Sequence, residues 1–307
     1  MKSDNGKKDD LVRGFAVNTE RLVSPMKVGK VHYLQTRLRR LPRCLQKMII
    51  KSATKKAPRM PFVVEPYALF LFYEIPEPER VQKFLPEGFE LAEFRIFDGD
   101  EPKYYGIVSN FRVHTSVFWG ARTEFYLVAK NTKTGLLSWV IMDYMSDTIS
   151  YDEKSGLRSP DVEGGVMTTT CEGEVVVEMK TVDGAKLAKA TASLRNAKMR
   201  PLDQTLWIEG NTSIAYGRRV GEADADLFSL TFLPEEMKQA LDVPLADVRE
   251  VKAYTKSARL GAELARVVCF PYAQHMLSDA PGHTTHYGSE EELRKAAEGV
   301  KWGEVRG

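Results

Sequence analysis

Between residues 60 and 270 the apolar positions fall in short runs: "YALFLFY", "YYGIVSNFRV", "EFYLVA", "LLSWVIMD", "GEVVVEMK", "TLWIEGNTSIAYG", "DLFSLTFL" and "ARVVCF". Glycine, proline or charged turns separate them, which is the spacing of β-strands. Helical candidates are fewer. "PEPERVQKFLP" opens with prolines suited to a first turn, "PEEMKQALD" follows a strand, and "SEEELRKAAEG" carries a capping box of Ser289 and Glu292 with Gly299 at its end. Many strands and few helices predict a mainly β (α+β) fold, an antiparallel sandwich or closed barrel with peripheral helices.

The pattern before residue 60 is different. Val31, Leu34, Leu38, Leu41, Leu45 and Met48 recur at alternating spacings of three and four, an apolar helical stripe backed by Arg37, Arg39, Arg40, Arg43 and Lys47. Pro42 falls inside it and predicts a kink or two short helices, because proline removes a helical hydrogen bond and clashes with the preceding turn. No acidic residue occurs from Lys27 to Arg59. The stripe therefore has two readings: a subunit contact or a cover for the chain's own core, or a basic amphipathic helix resting on a membrane surface or an acidic partner. Packing is the expectation, since short isolated helices are marginal in water. The organisation that follows is a basic, partly helical arm over 1–59, a β-domain over 60–275, and a C-terminal tail with a short helix over 276–307.

Composition narrows the function. A net charge of +2 on 307 residues supplies no global field, so no nucleic-acid partner is expected. Cys44, Cys171 and Cys269 lie far apart without a CxxC pair, which argues against a disulfide framework or zinc site and fits a reducing cytoplasm. No apolar run approaches the length of a membrane span, and no signal peptide is recognised. GxxxxGK[ST], GxGxxG, HExxH and GxSxG motifs are missing, which sets aside nucleotide and hydrolase chemistries. His275, His283 and His286 cluster near the end, but the intervening Pro281 and Gly282 mark a loop, and a solvated tail with no metal is expected. His114, between aromatic strands, is the better polar candidate.

The stretch "RTEFYLVAKNTKTGLLSWVIMDYMSD" (122–147) reads as two strands around a tight turn. With a side-chain period of two, Glu124, Tyr126 and Val128 share a face. A carboxylate on an apolar face needs a partner or has a task. Desolvation there favours its protonated form and suits it to proton transfer. Pairing with Arg122 or another cation is the structural alternative.

The order of several segments resembles the acetoacetate decarboxylase superfamily over roughly residues 60 to 270. These are "YEIPEPERVQKFLPEGFEL", "GARTEFYLVAKNTKTGLLSWVIMD", "SYDEKSGLRSPD" and "PLADVREVKAYTKSARLGAELARVVCF". Leu85, Pro86, Glu87 and Gly88 match the family's Leu-Pro-Glu-Gly, Gly120 through Glu124 its Gly-x-Tyr-x-Glu strand opening, and Asp143 its strand end. The resemblance implies a β-rich cone or closed barrel around a buried apolar pocket, homo-oligomers, and a pocket glutamate, here Glu124, beside a Schiff-base lysine. Counting from Asp143 without gaps puts Ser159 and Pro160 at the lysine pair. Anchoring on Tyr151 puts Lys154 there, with Glu153 beside it. Lys154 is thus either a solvated loop residue or an imine former tuned by burial. A lysine amine attacks a carbonyl when desolvation or a nearby cation lowers its pKa.

The expectation is a carbon–carbon lyase, such as a decarboxylase, acting on a small oxo acid without a cofactor. Glu124 and Lys154 would be catalytic, and Arg122, His114, Arg158 and Tyr126 would bind the substrate. The alternative is a lysine-less relative that binds a small carbonyl or hydrophobic ligand, because a shared fold does not entail shared chemistry.

Overall fold

The computed structural model describes residues 2–54, 58–115, 119–152, 156–212, 214–216, 228–252, 263–280, 285 and 287–305. The chain opens with three helices, α1 (Lys2–Leu22), α2 (Pro25–Leu38) and α3 (Arg43–Thr54). Strands β1 (Arg59–Val64), β2 (Ala68–Glu74), β3 (Phe89–Leu91), β4 (Tyr105–Thr115), β5 (Trp119–Asn131) and β6 (Leu137–Ser146) start the large sheet, with the short helix α4 (Pro78–Gln82) between β2 and β3. A ribbon of β7 (Ser150–Asp152) and β8 (Gly156–Arg158) comes next. Strands β9 (Val166–Thr169), β10 (Glu174–Lys180) and β11 (Leu187–Ser193) belong to a small sheet that β16 (Val248–Lys252) completes. The remaining strands return to the large sheet: β12 (Lys198–Pro201), β13 (Ile214–Tyr216), β14 (Leu230–Phe232), β15 (Gln239–Val243), β17 (Glu263–Phe270) and β18 (Gln274–Asp279). Helix α5 (Gln204–Trp207) follows β12, and α6 (Glu290–Glu298) lies near the C-terminus.

The large sheet forks at β4. Tyr105–Asn110 of that strand pair with β2, whereas Val113–Thr115 pair with β1. One branch then runs β2, β17, β15, β12 and the other β1, β18, β14, while the opposite edge of β4 pairs with β5, β5 with β6, and β6 with β13. Pairing is antiparallel except between β13 and β6. Among the described residues the sheet is mostly antiparallel and branched, and no pairing joins its outer strands into the closed ring of the expected barrel.

Both faces of this sheet are covered, which is why β4 and β5 are buried along nearly their whole length. On one face Leu69, Leu71, Val108, Leu127, Val140 and Val267 pack against Val175, Val177, Met179 and Ala190 of the small sheet. On the other, Phe72, Ile107, Tyr126, Val128, Trp139 and Phe270 pack under Leu206 and Trp207 of α5 and Leu293 of α6. Phe70, Trp139, Trp207 and Phe270 meet edge-on there, with ring centroids between 5.1 and 6.1 Å apart. Such pairs add about 0.5–1.5 kcal/mol each beyond their area.

Several expectations hold. Helix α4 lies in "PEPERVQKFLP", and Gly88, at φ 83°, takes the left-handed turn that follows it. Helix α6 is capped by Ser289, whose Oγ accepts from the Glu292 N–H at 3.3 Å, while Glu292 reaches back to the Gly288 N–H at 2.6 Å. The arm breaks at Pro42 into α2 and α3.

Others need correction. "TLWIEGNTSIAYG" is α5, a 3₁₀ turn at Glu209–Thr212 and the short β13, rather than a long strand. In "PEEMKQALD" a single 3₁₀ turn (Pro234–Met237) leads into β15. Residues 2–22, within the arm but given no element of their own, form α1, whose Phe15 is buried against Leu277, Ala297 and Val305 and meets the Trp302 ring edge-on at 5.3 Å. Strand β18, Gln274–Asp279, pairs with β1 along six positions. Of the helical stripe of the arm, Leu34, Leu41, Leu45 and Met48 are exposed, whereas Val31 and Leu38 are half-buried.

Candidate functional site

On β5, Arg122, Glu124 and Tyr126 alternate with Thr123, Phe125 and Leu127, so their side chains leave the sheet on the face covered by α5 and α6. Glu124 sits opposite Ser109 of β4 and Tyr144 of β6. A bulge between Phe125 and Tyr126 in the β5–β6 pairing brings Tyr144 to this face together with Ile141 and Trp139. Bulges of this kind re-aim side chains at the point where pairing slips.

Glu124 is only 6% exposed, and both of its oxygens are held. Oε1 accepts from Arg122 Nε at 2.7 Å and lies 2.5 Å from Arg122 Nη2. Oε2 accepts from the Tyr126 hydroxyl. The carboxylate is therefore not bare, as desolvation alone would have it. Its charge is opposed by a guanidinium that also stacks over the Tyr144 ring, 4.6 Å from the centroid. Tyr126 is fixed by an edge-on contact with Trp139 at 5.2 Å. Burial first, then the adjacent Glu124 charge and hydrogen bond, push the Tyr126 phenol well above its ordinary value, so it stays protonated and acts as the donor. Ser109 lies next to that phenol and works weakly against the rise. Its own hydroxyl is fully buried, and among the described residues no group meets it with full hydrogen-bond geometry. The half-buried rings of Phe62, Phe70, Phe111 and Phe228 pack against the same face.

The other predicted residues divide. Arg122 and Tyr126 join Glu124, while His114 does not. Five positions beyond Ser109 on β4, His114 emerges on the opposite face, where its Nε2 meets Glu65 and its ring lies 4.8 Å from Trp119. Trp119 Nε1 donates to the same Glu65 oxygen at 2.9 Å, and the His114 hydrogen bond chiefly holds the Glu65 carboxyl below its usual range. Lys154 lies outside the described residues, and of Arg158 the backbone alone is described, in β8. The end of that ribbon is tied to the site. The Asp161 and Val162 N–H groups donate to the Ser146 carbonyl at 3.1 and 3.2 Å, Asp161 Oδ1 accepts from the Ser146 N–H at 2.7 Å, and Ser146 is the cross-strand neighbour of Arg122. Asp161 is thereby occupied with backbone. Asp143 is held by Lys186 at 2.7 Å.

Ser109 and Tyr144 are site residues that the sequence reading does not single out. Nothing local marks them, because they reach Glu124 through strand register. Among the described residues no group of three or more His, Cys, Asp or Glu side chains is arranged to hold a metal ion.

No protein-family model matches the chain. No curated protein matches it either. The solved structures similar to it include two acetoacetate decarboxylases. One is described as acetoacetate decarboxylase from Legionella pneumophila subsp. pneumophila str. Philadelphia 1, with 15% identity, 71% of this chain and 84% of that chain covered, and a TM-score of 0.46. The other comes from structural studies of acetoacetate decarboxylase, with 14% identity, 73% and 87% coverage, and a TM-score of 0.40.

Proposed function

We propose that the chain is an acetoacetate decarboxylase-like enzyme that acts on a small oxo acid, with Glu124 exchanging a proton beside the substrate carbonyl. The observation that supports this most is the buried Arg122–Glu124–Tyr126 set on an aromatic-lined face. Its polar groups converge where an apolar core would need none, and keeping such groups there is costly unless they have a task. In this reading Arg122 orients the Glu124 carboxylate and offers positive charge for the substrate carboxylate. Tyr126 stays protonated and holds the Glu124 carboxylate in place through its hydroxyl hydrogen bond. The Ser109 hydroxyl contributes a donor to the carbonyl oxygen. The β7–β8 hairpin would bring Lys154 as the imine-forming amine, with Arg158 beside it. The amine would attack the carbonyl carbon and water would leave. The protonated imine would then accept the electron pair of the breaking carbon–carbon bond.

A second reading has its own support: the full set of donors already on Glu124 suits a structural or binding role without turnover. Borohydride reduction in the presence of short 2- and 3-oxo acids separates the two. An enzyme of the proposed kind acquires the mass of a reduced adduct, and Lys154→Ala loses it. A wild-type chain that gains no adduct with any of these acids would leave the binding reading standing.

A further inference from the structure

The large sheet divides beside the Arg122–Glu124–Tyr126 set. Strand β4 pairs with β2 as far as Asn110 and with β1 from Val113 onward, so Phe111 stands where the two branches part. Register fixes its neighbours. Phe111 is opposite Arg122, Ser109 is opposite Glu124, and Phe70 of β2 flanks Ser109 on its other side. Phe62 of β1 pairs with Thr115, which shares the face of Ser109 and Phe111. One phenylalanine therefore comes from each branch and one from the stem, and the polar set closes the fourth side.

These rings are more open than their places in the sheet require. Phe70 lies between Ser109 and Val268 on neighbouring strands, and Phe62 between Thr115 and Met276. All four of those neighbours are buried, yet Phe70, Phe62 and Phe111 are each only half-buried. Two residues further along β2, by contrast, Phe72 is fully buried and meets Trp207 edge-on, with ring centroids 6.0 Å apart. The cover thus thins at the fork and leaves an apolar recess next to Glu124. One wall of it is fixed, because edge-on contacts with Trp139, Trp207 and Phe270 hold the Phe70 ring.

The recess selects the substituent of the substrate. Neighbouring strands are about 4.8 Å apart, so a carbonyl placed between Glu124 and Ser109 is about 7 Å from the line of Phe70. A methyl group falls short of that ring, whereas a benzyl group reaches it. A charged or hydroxylated substituent would lose its water against phenylalanine side chains that return no hydrogen bond. A flat ring gains most, since aromatic pairs prefer the edge-on and offset arrangements, and the resident rings already meet edge-on.

We infer that, among short oxo acids, the chain takes one that ends in an aromatic group, seated at the fork against Phe70, Phe111 and Phe62. This rests on the reading of Glu124 as the group beside the carbonyl.

Two measurements on the full-length chain separate the recess from the chemistry. Calorimetry compares butanoate, 4-cyclohexylbutanoate and 4-phenylbutanoate, which carry the carboxylate but neither form an imine nor lose carbon dioxide. Borohydride trapping with 3-oxo-4-phenylbutanoate, read by mass, reports the chemistry. The phenyl compound should bind roughly 50-fold more tightly than butanoate, from the apolar carbons it buries. It should bind about 5-fold more tightly than the cyclohexyl compound. Phe111→Leu and Phe70→Leu should each lower the preference for phenyl over butanoate about 5-fold, with an unchanged circular dichroism spectrum. Equal affinity for the phenyl compound and butanoate, a cyclohexyl compound that binds as well as the phenyl one, or a wild-type preference in both folded variants would overturn the inference. Tight phenyl binding without an adduct would uphold the recess and overturn the enzyme reading alone. An adduct without the phenyl preference would do the opposite.

Discussion

Replacing Arg122 by methionine removes the cation from a carboxylate that is nearly fully buried, without opening a large cavity. The side chains of Arg122 and Glu124 are only 12% and 7% exposed, so solvent screens the pair weakly. Losing one partner of a buried pair costs about 3–5 kcal/mol, because the other charge stays desolvated. Here the Tyr126 hydroxyl remains on Oε2, which places the expected loss toward the lower end, at about 3 kcal/mol. Glu124→Met should cost a similar amount by stranding the guanidinium against the Tyr144 ring. The double variant Arg122→Met/Glu124→Met buries two apolar side chains in place of two charges and should cost less than either single change. Urea unfolding of the four proteins at pH 7, with the slope checked for constancy, gives the coupling energy. If the double variant costs the sum of the singles within about 0.5 kcal/mol, the two side chains do not act as a unit and the reasoning fails.

Three further outcomes follow from the geometry. The imidazole of His275 lies 2.7 Å from Glu236 and 3.2 Å from Glu20 of α1. Burial disfavours its charged form, but the two carboxylates outweigh it and raise its pKa above 6.5. The stability this supplies is fully present below about pH 6.5 and is lost as pH rises through the higher folded value, so α1 amides should exchange faster at pH 8 than at pH 6 after correction for intrinsic rates. His275→Gln should abolish that difference. Gly120→Ala should lower stability by about 1–3 kcal/mol, because a Cβ there would fall 2.1 Å from Asp147 Oδ1 and 2.3 Å from Thr148 Cγ2. A thermal midpoint equal to that of the wild type would show that the Asp147 side chain gives way freely.

Much of the sheet was legible because alternation and short apolar runs survive even in strands buried on both faces, such as β4 and β5. The misread segments have identifiable physical causes. Leu206, Trp207 and Ile208 are all buried, so their run has no polar side to reveal a helix. The readable signal was the cap: Asp203 Oδ1 accepts from the Leu206 N–H at 3.1 Å. In β15 the polar Asp242 looks solvent-facing in sequence, yet Arg200 and Arg266 hold it at 2.9 and 3.1 Å. That ion-pair network joins strands far apart in the chain. Helix α1 was missed because it buries little beyond Phe15 and Thr19 along its length. Within the site, Arg122, Glu124 and Tyr126 were legible as same-face neighbours on one strand. Ser109 and Tyr144 were not, since their positions depend on long-range register and on a bulge that counting from the turn does not reveal. His114 was assigned to the site for its aromatic surroundings, and the β4–β5 register puts it on the other face.

The proposed role of Glu124 meets its most direct test in proton exchange at the carbon beside the carbonyl of short oxo acids in D₂O, followed by NMR with wild type and Glu124→Gln. The amide keeps the shape and one oxygen that accepts from Arg122, but its NH2 cannot accept from the Tyr126 hydroxyl and it cannot take up a proton. If Glu124 is the acid–base group, the wild type should exchange one of these acids and the variant should be slower by roughly 10²–10⁴-fold, with an unchanged circular dichroism spectrum. An exchange rate in Glu124→Gln equal to that of the wild type would contradict the account.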